Sequence, residues 1–357
     1  MTLVLDNGAY TIKLGLAESE PQVYYNCIGR IKKEVIVAPR SINGVNEVMR
    51  PHERGVLVDP GLQSKIFKKV LKGYVCSDLD LVISCPVYTP FTCRKQLDEI
   101  VFEEYEFKSE IRVPSGYQST GIIVDLGFSA STVMPYLDGF PINSAITRVN
   151  VGGKLLTNYL KEQISFRQYD MRDETWLVNL VKEKLCSVSS NFMNELKMLQ
   201  KNKSLERHYV LPEFGDDGHE LQPEESKEGK QVLTMGNLSI AVPEVLFRPS
   251  DIGLTDAGIG EAIWMAMQAV PSVYWEDLTN ILLVGGSANF PNIENRFKDE
   301  LRAISNDGLT FNFIKPENPS FWNWKSLSKV SEVRKGVTKE EYFEMGSEYI
   351  DWKFQYS

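Results

Sequence analysis

Gly121-Ile122-Ile123-Val124-Asp125-Leu126-Gly127, returning through Thr132-Val133-Met134-Pro135-Tyr136, is the stretch on which the fold turns. An apolar run meets an Asp-x-Gly and comes back as a second β-rich run, which reads as a hairpin with a polar, glycine-containing turn. The chain opens with the same design: Leu3-Val4-Leu5 enters Asp6-Asn7-Gly8, and Thr11-Ile12-Lys13-Leu14-Gly15-Leu16 follows with period-2 alternation. A third buried-looking run, Ile281-Leu282-Leu283-Val284, ends in Gly285-Gly286-Ser287 and leads towards a helix beyond Pro291. Leu177, Val181, Leu185, Val188, Phe192 and Leu196 recur at helical spacing and predict one long amphipathic helix. Short strand-like runs alternating with longer helical ones predict an α/β protein.

The strand ends carry the chemistry. A glycine lets the backbone turn tightly, so that its N–H groups converge on an anion. An aspartate beside it can face a divalent cation, usually through water, because magnesium gives up its hydration shell reluctantly. A strand ending in Gly-Gly lets the backbone approach a flat base or a phosphate. Each signal alone is a turn signal. All three in this order predict two phosphate clamps and a base-side wall.

Composition narrows the setting. With 357 residues the chain has room for two or more domains, and 43% hydrophobic with 24% charged residues is ordinary globular usage. No apolar run reaches membrane-spanning length, and Met1-Thr2-Leu3-Val4-Leu5-Asp6 breaks off too early for a signal peptide. Five cysteines without a CxxC pair, and only three histidines, make a zinc site or a disulfide framework poor readings. A net charge of -9 argues against a dominant nucleic-acid surface. The expectation is a cytosolic or nuclear protein. Gly29 to Arg54 and the acidic stretch Gly215 to Lys230 read as surface loops. Lys197, Lys201, Lys203 and Arg207, just before the second, read as a solvated face.

These motifs carry a resemblance. Leu5-Asp6-Asn7-Gly8 with Lys13 resembles the first phosphate loop of the actin superfamily, and Ile123-Val124-Asp125-Leu126-Gly127 resembles its second. Leu283-Val284-Gly285-Gly286-Ser287 before Phe290-Pro291 resembles the adenosine-side motif, and Val181-Lys182-Glu183-Lys184-Leu185-Cys186 resembles the helix bordering the adenine. Arg148-Val149-Asn150-Val151-Gly152-Gly153, followed by Leu156-Thr157-Asn158-Tyr159-Leu160, resembles the entry to the fourth actin subdomain, and Val245-Leu246-Phe247-Arg248-Pro249-Ser250 continues the match. Arg50-Pro51-His52-Glu53-Arg54-Gly55, Phe102-Glu103-Glu104-Tyr105-Glu106-Phe107, Pro316-Glu317-Asn318-Pro319 and Val337-Thr338-Lys339-Glu340-Glu341-Tyr342 look like the sixth class of actin-related proteins.

The resemblance implies a ribonuclease-H-like, duplicated, two-lobed fold with a central nucleotide cleft. Residues 1–115 and 325–357 are expected in the first lobe, with an outer subdomain about 28–54. Residues 116–324 are expected in the second, with an outer subdomain about 153–253. It implies ATP or ADP with Mg, the phosphates between Asp6-Asn7-Gly8 and Asp125-Leu126-Gly127 and Lys13 near a terminal phosphate. Asp6 and Asp125 would face the metal through water, and Gly153, Lys182, Glu183, Gly285 and Gly286 would line the nucleoside side.

Three departures bear on hydrolysis. Phe128 stands where actin has a second carboxylate, and Thr132 where it has a water-polarising histidine. Val113-Pro114-Ser115-Gly116-Tyr117-Gln118-Ser119-Thr120 leaves no room for the helix that carries actin's water-orienting glutamine, and the spacing does not let Gln118 replace it. Each such loss is typically worth on the order of 10²-fold in rate. A changed Phe321-Trp322-Asn323-Trp324-Lys325-Ser326 replaces actin's Gly-Gly-Ser element. The expectation is a non-catalytic nuclear subunit of an ATP-dependent remodeller that exchanges a variant histone into nucleosomes. It would be held by the remodeller ATPase and other subunits near histones, with no membrane role and no homopolymer. An active actin-like ATPase or sugar-kinase relative, and a cytoskeletal actin-related protein, stay open as alternatives.

Overall fold

The structure is a computed structural model, and it describes every residue except 115–118, 213–217, 223, 306–307, 331–333 and 357. The chain divides into two compact units, Met1–Ser119 with Ser320–Ser357, and Thr120–Pro319.

The first unit is built on a six-stranded sheet in the order Val337–Thr338, Ser109–Pro114, Asp80–Cys85, Thr2–Asn7, Thr11–Leu16, Gln22–Tyr25. Thr2–Asn7 and Thr11–Leu16 form the expected antiparallel hairpin, and Thr2–Asn7 continues into parallel pairing with Asp80–Cys85. The period-2 alternation splits its side chains between two faces. Leu3 and Leu5 pack on one side with Ile66, Phe67, Leu81 and Phe102. Val4 faces the other side with Val82, Ile111, Trp324 and Leu327. Trp324 is therefore core, and its indole N–H donates to the Val4 carbonyl at 3.2 Å.

The second unit repeats the plan. Its sheet runs Phe140–Pro141, Ser131–Leu137, Gly121–Leu126, Asn280–Val284, Asn312–Ile314. The hairpin is again antiparallel, and Gly121–Leu126 again continues into a parallel partner, here Asn280–Val284. Ile122, Val124, Ile281 and Leu283 are fully buried in one core with the helices Gly153–Arg167, Thr175–Leu185 and Ile259–Gln268. The helix expected beyond Pro291 is Ile293–Ile304.

Three readings of the sequence need correcting. The predicted long helix is two helices, Thr175–Leu185 and Phe192–Lys201. Apolar spacing runs on through the break, but Ser187 and Val188 turn their N–H groups to the carbonyls of Ser239 and Pro291. Asn191 then restarts the helix as a side-chain cap on the Asn194 N–H. Gly29 to Arg54 is no loop: Ile28–Ile31, Glu34–Val37 and Asn46–Met49 form an antiparallel sheet. Its strands are only four residues long, too short for alternation to show. Gly215 to Lys230 falls partly outside the described residues, but His219–Glu220 is a strand paired with His208–Val210. Arg207 holds it there through two 2.9 Å hydrogen bonds to Glu220. Part of the stretch 113–120 that was expected to lack a helix, including Gln118, lies outside the described residues.

Candidate functional site

In the first unit the strand register sets Lys13 opposite Asp6. The Lys13 ammonium donates to Asp6 Oδ2 at 2.9 Å. Ser84, on the neighbouring strand, donates to Asp6 Oδ1 at 2.9 Å and accepts the Asn7 N–H at 2.8 Å. Asp6 and Lys13 are buried, so the pair compensates two charges that neither could carry alone out of water. Asn26 closes the turn from the other side, donating to the Gly8 carbonyl at 2.9 Å and to Asn7 Oδ1 at 3.1 Å. Gln63 donates to Asn26 Oδ1 at 3.4 Å, and His52 Nδ1 lies 3.4 Å from the Asn26 amide nitrogen. Burial, reinforced by the Arg50 charge, lowers His52 to about 4, so it stays neutral near pH 7. Asp6, Asn7, Gly8 and Lys13 are thus one braced turn. Ser84, Asn26 and Gln63, which brace it, went unnoticed in the sequence, and His52, read there only within the Arg50–Gly55 motif, was not assigned to this turn.

In the second unit the parallel register sets Asp125 beside Val284 and brings Asp125-Leu126-Gly127 against Gly285. A Cβ at Gly285 (φ +88) would stand 2.5 Å from the Leu126 carbonyl oxygen and 2.6 Å from Asp125 Oδ1. Only glycine allows that approach. Gly127 accepts the Gly153 N–H at 2.9 Å, and Phe128 accepts the Lys154 N–H at 2.8 Å, which ties the turn to the start of the helix Gly153–Arg167. A Cβ at Gly153 would lie 3.7 Å from both Lys182 Nζ and Ser287 Oγ, whereas one at Gly286 would meet nothing within 4 Å. Asp125, Gly127, Gly153, Lys182, Gly285 and Gly286 are thus brought together, with Gly286 presenting bare backbone to open space. Residues 128 and 132 supply neither a carboxylate nor an imidazole.

Lys182 is buried, and its ammonium donates to the Gly153 carbonyl at 3.2 Å, Thr157 Oγ1 at 2.9 Å and Asn179 Oδ1 at 2.8 Å. All three protons are used, and burial lowers its pKa. Glu183 is exposed on the same helix and accepts from Asn179 Nδ2 at 2.8 Å. Glycine-lined backbone with a fixed ammonium beside it suits a nucleotide. Among the described residues no group of three His, Cys, Asp or Glu could hold a metal ion directly, so any magnesium would bind largely through water.

A sequence profile described as Actin matches residues 1–355. The chain is 33% identical to the actin-related protein 6 of Drosophila melanogaster, across 99% of this chain and 98% of that protein. It is 32% identical to the actin-like protein arp6 of Aspergillus fumigatus, across 99% and 94%. Against the actin-related protein 6 of Arabidopsis thaliana the identity is 30%, across 97% of each. With two sheets of one plan, two Asp-x-Gly hairpins and near full-length similarity, the chain belongs to the actin family, as a homologue of its sixth class of actin-related proteins.

Proposed function

We propose that this protein is a non-catalytic subunit of a nuclear, ATP-dependent chromatin-remodelling complex that exchanges a variant histone into nucleosomes, and that it works as a rigid interaction platform. The observation that carries the reading is the second hairpin. Its register puts Thr132 opposite Asp125, where the first hairpin has Lys13 opposite Asp6. Phe128 accepts the Lys154 N–H through its backbone carbonyl, which ties the turn to the adjoining helix. With Phe128 in place of a second carboxylate and Thr132 in place of an imidazole, the hairpin lacks the groups that would help Asp125 position and deprotonate water. The glycine cradle needs neither. On this reading ATP or ADP, with Mg, would be a structural ligand and not a substrate to be turned over. Partners on this reading are the remodeller's ATPase subunit, other complex subunits and histones. No helix among the described residues is long and apolar enough to cross a membrane.

Tagged protein recovered from nuclear extract should bring down a large helicase-like ATPase together with histone-binding proteins. Recovery with cytoskeletal proteins alone, and none of the remodelling subunits, would overturn the reading in favour of a cytoskeletal relative.

A further inference from the structure

Away from the glycine cradle, the first unit buries a second set of charges. The helix Phe91–Glu99 contributes Arg94 and Asp98, the strand Ser109–Pro114 contributes Glu110 and Arg112, and the C-terminal helix Lys339–Tyr356 contributes Asp351. Asp98 and Glu110 are each 0% exposed and Arg112 is 5% exposed. Arg112 stands 3.0 Å from Asp98, 3.8 Å from Glu110 and 3.7 Å from Asp351. Its guanidinium also lies 5.4 Å from the centre of the Phe354 ring. Arg94 grips Asp351 with two bonds of 2.6 Å, which completes that pair. What remains is one guanidinium between two wholly buried carboxyls. None of the four oxygens of Asp98 and Glu110 finds a well-directed hydrogen bond. Ser347 and the Tyr342 hydroxyl, which donates to Glu103, also face Asp98 from the C-terminal helix. The Cys85 thiol faces Arg112 from the strand Asp80–Cys85.

Two ionised carboxylates beside one cation leave an uncompensated buried charge, which costs several kcal/mol unless a proton is retained. We propose that Asp98 and Glu110 share one proton over Arg112, and that this proton latches the end of the C-terminal helix to the first unit. The helix is already interrupted at Gly346 (φ 76, ψ 175), so the segment beyond can swing as a piece. Loss of the proton is relieved when that segment lifts and water reaches the cluster. The segment carries the fully buried Ile350 and the exposed Trp352, so the latch decides which face the C-terminus presents. Burial, and then the charge of Glu110, raise Asp98 to about 8, which puts the release just above neutral pH. The coupled pair titrates as a unit, and burial raises Glu110 in the same direction. The docked state then holds one more proton than the released state between roughly pH 4 and 8, and docking weakens as pH rises through that window.

Hydrogen exchange of residues 347–354 in the full chain, corrected for the intrinsic pH dependence, tests the latch. One proton predicts that protection falls about tenfold per pH unit, hence about a hundredfold from pH 5.5 to 7.5. Asp98→Asn should flatten that slope and leave protection at pH 7.5 above the unaltered protein. Glu110→Gln should do the same and serves if Asp98→Asn fails to fold. Flat protection in the unaltered protein, or an equal loss at both pH values in the variants, would mean an ordinary ion pair and overturn the proposal.

Discussion

Asp6 and Asp125 hold matching positions in two matching hairpins, yet their surroundings differ. Asp6 is locked by Lys13 and Ser84, whereas Asp125 is partly exposed and lies against a glycine. Gly285 makes that second arrangement fit, and Gly285→Ala forces a Cβ into the Leu126 carbonyl at positive φ. A loss of about 1–3 kcal/mol in chemical denaturation is expected, with a larger loss of nucleotide affinity. His52 gives a sharper electrostatic test. Its folded pKa lies below the ordinary 6.5, so the unfolded state binds the extra proton between about pH 6.5 and 4. Its contribution is present above pH 6.5 and is lost as pH falls through that window. NMR titration should find His52 still neutral at pH 5.5, and His52→Gln should remove up to about 1.4 kcal/mol per pH unit of acid destabilisation. The two Asp-x-Gly hairpins were legible because an apolar run that meets a polar, glycine-containing turn and returns as a second β-rich run is a hairpin signal. Ser84 was not, because its bond to Asp6 spans 78 residues of sequence and only the parallel pairing makes it.

At the scale of elements, legibility followed length. The six-residue strands Thr2–Asn7 and Gly121–Leu126 announced themselves as apolar runs entering Asp-x-Gly turns and Thr11–Leu16 by alternation, and the four-residue strands between Ile28 and Met49 did not. The break between Thr175–Leu185 and Phe192–Lys201 was hidden because its cause is tertiary. Arg296, on the helix Ile293–Ile304, bonds the Ser189 carbonyl at 2.8 Å and grips buried Glu244 at 2.9 and 2.7 Å. Arg296→Met should cost about 3–5 kcal/mol in urea unfolding, because Glu244 is left as an unpaired buried charge. Adding Glu244→Leu to that variant should recover much of the loss. Asn191→Ala should cost about 1 kcal/mol. That loss should appear as faster hydrogen exchange in residues 192–201 before any global effect, since no side chain of that helix is fully buried.

At the scale of the whole molecule, an actin-family chain carries Phe128 and Thr132 where the resemblance to actin implies a carboxylate and an imidazole. On the proposed reading, a nucleotide would act by mass action on the folded state. It should stabilise by RT ln(1 + [L]/Kd), roughly 2.7 kcal/mol at a hundredfold excess over Kd. MgATP should therefore raise the melting temperature, and Asp6→Ala with Asp125→Ala should erase that rise. The most direct test puts the same double variant into fully assembled remodelling complex and follows variant-histone exchange into nucleosomes. If the protein works by being held, complex that assembles with every other subunit present will exchange histone at close to the normal rate, with only its thermal stability or yield reduced. Complex of normal composition that has lost exchange would show nucleotide chemistry here to be part of the reaction, and would contradict the account.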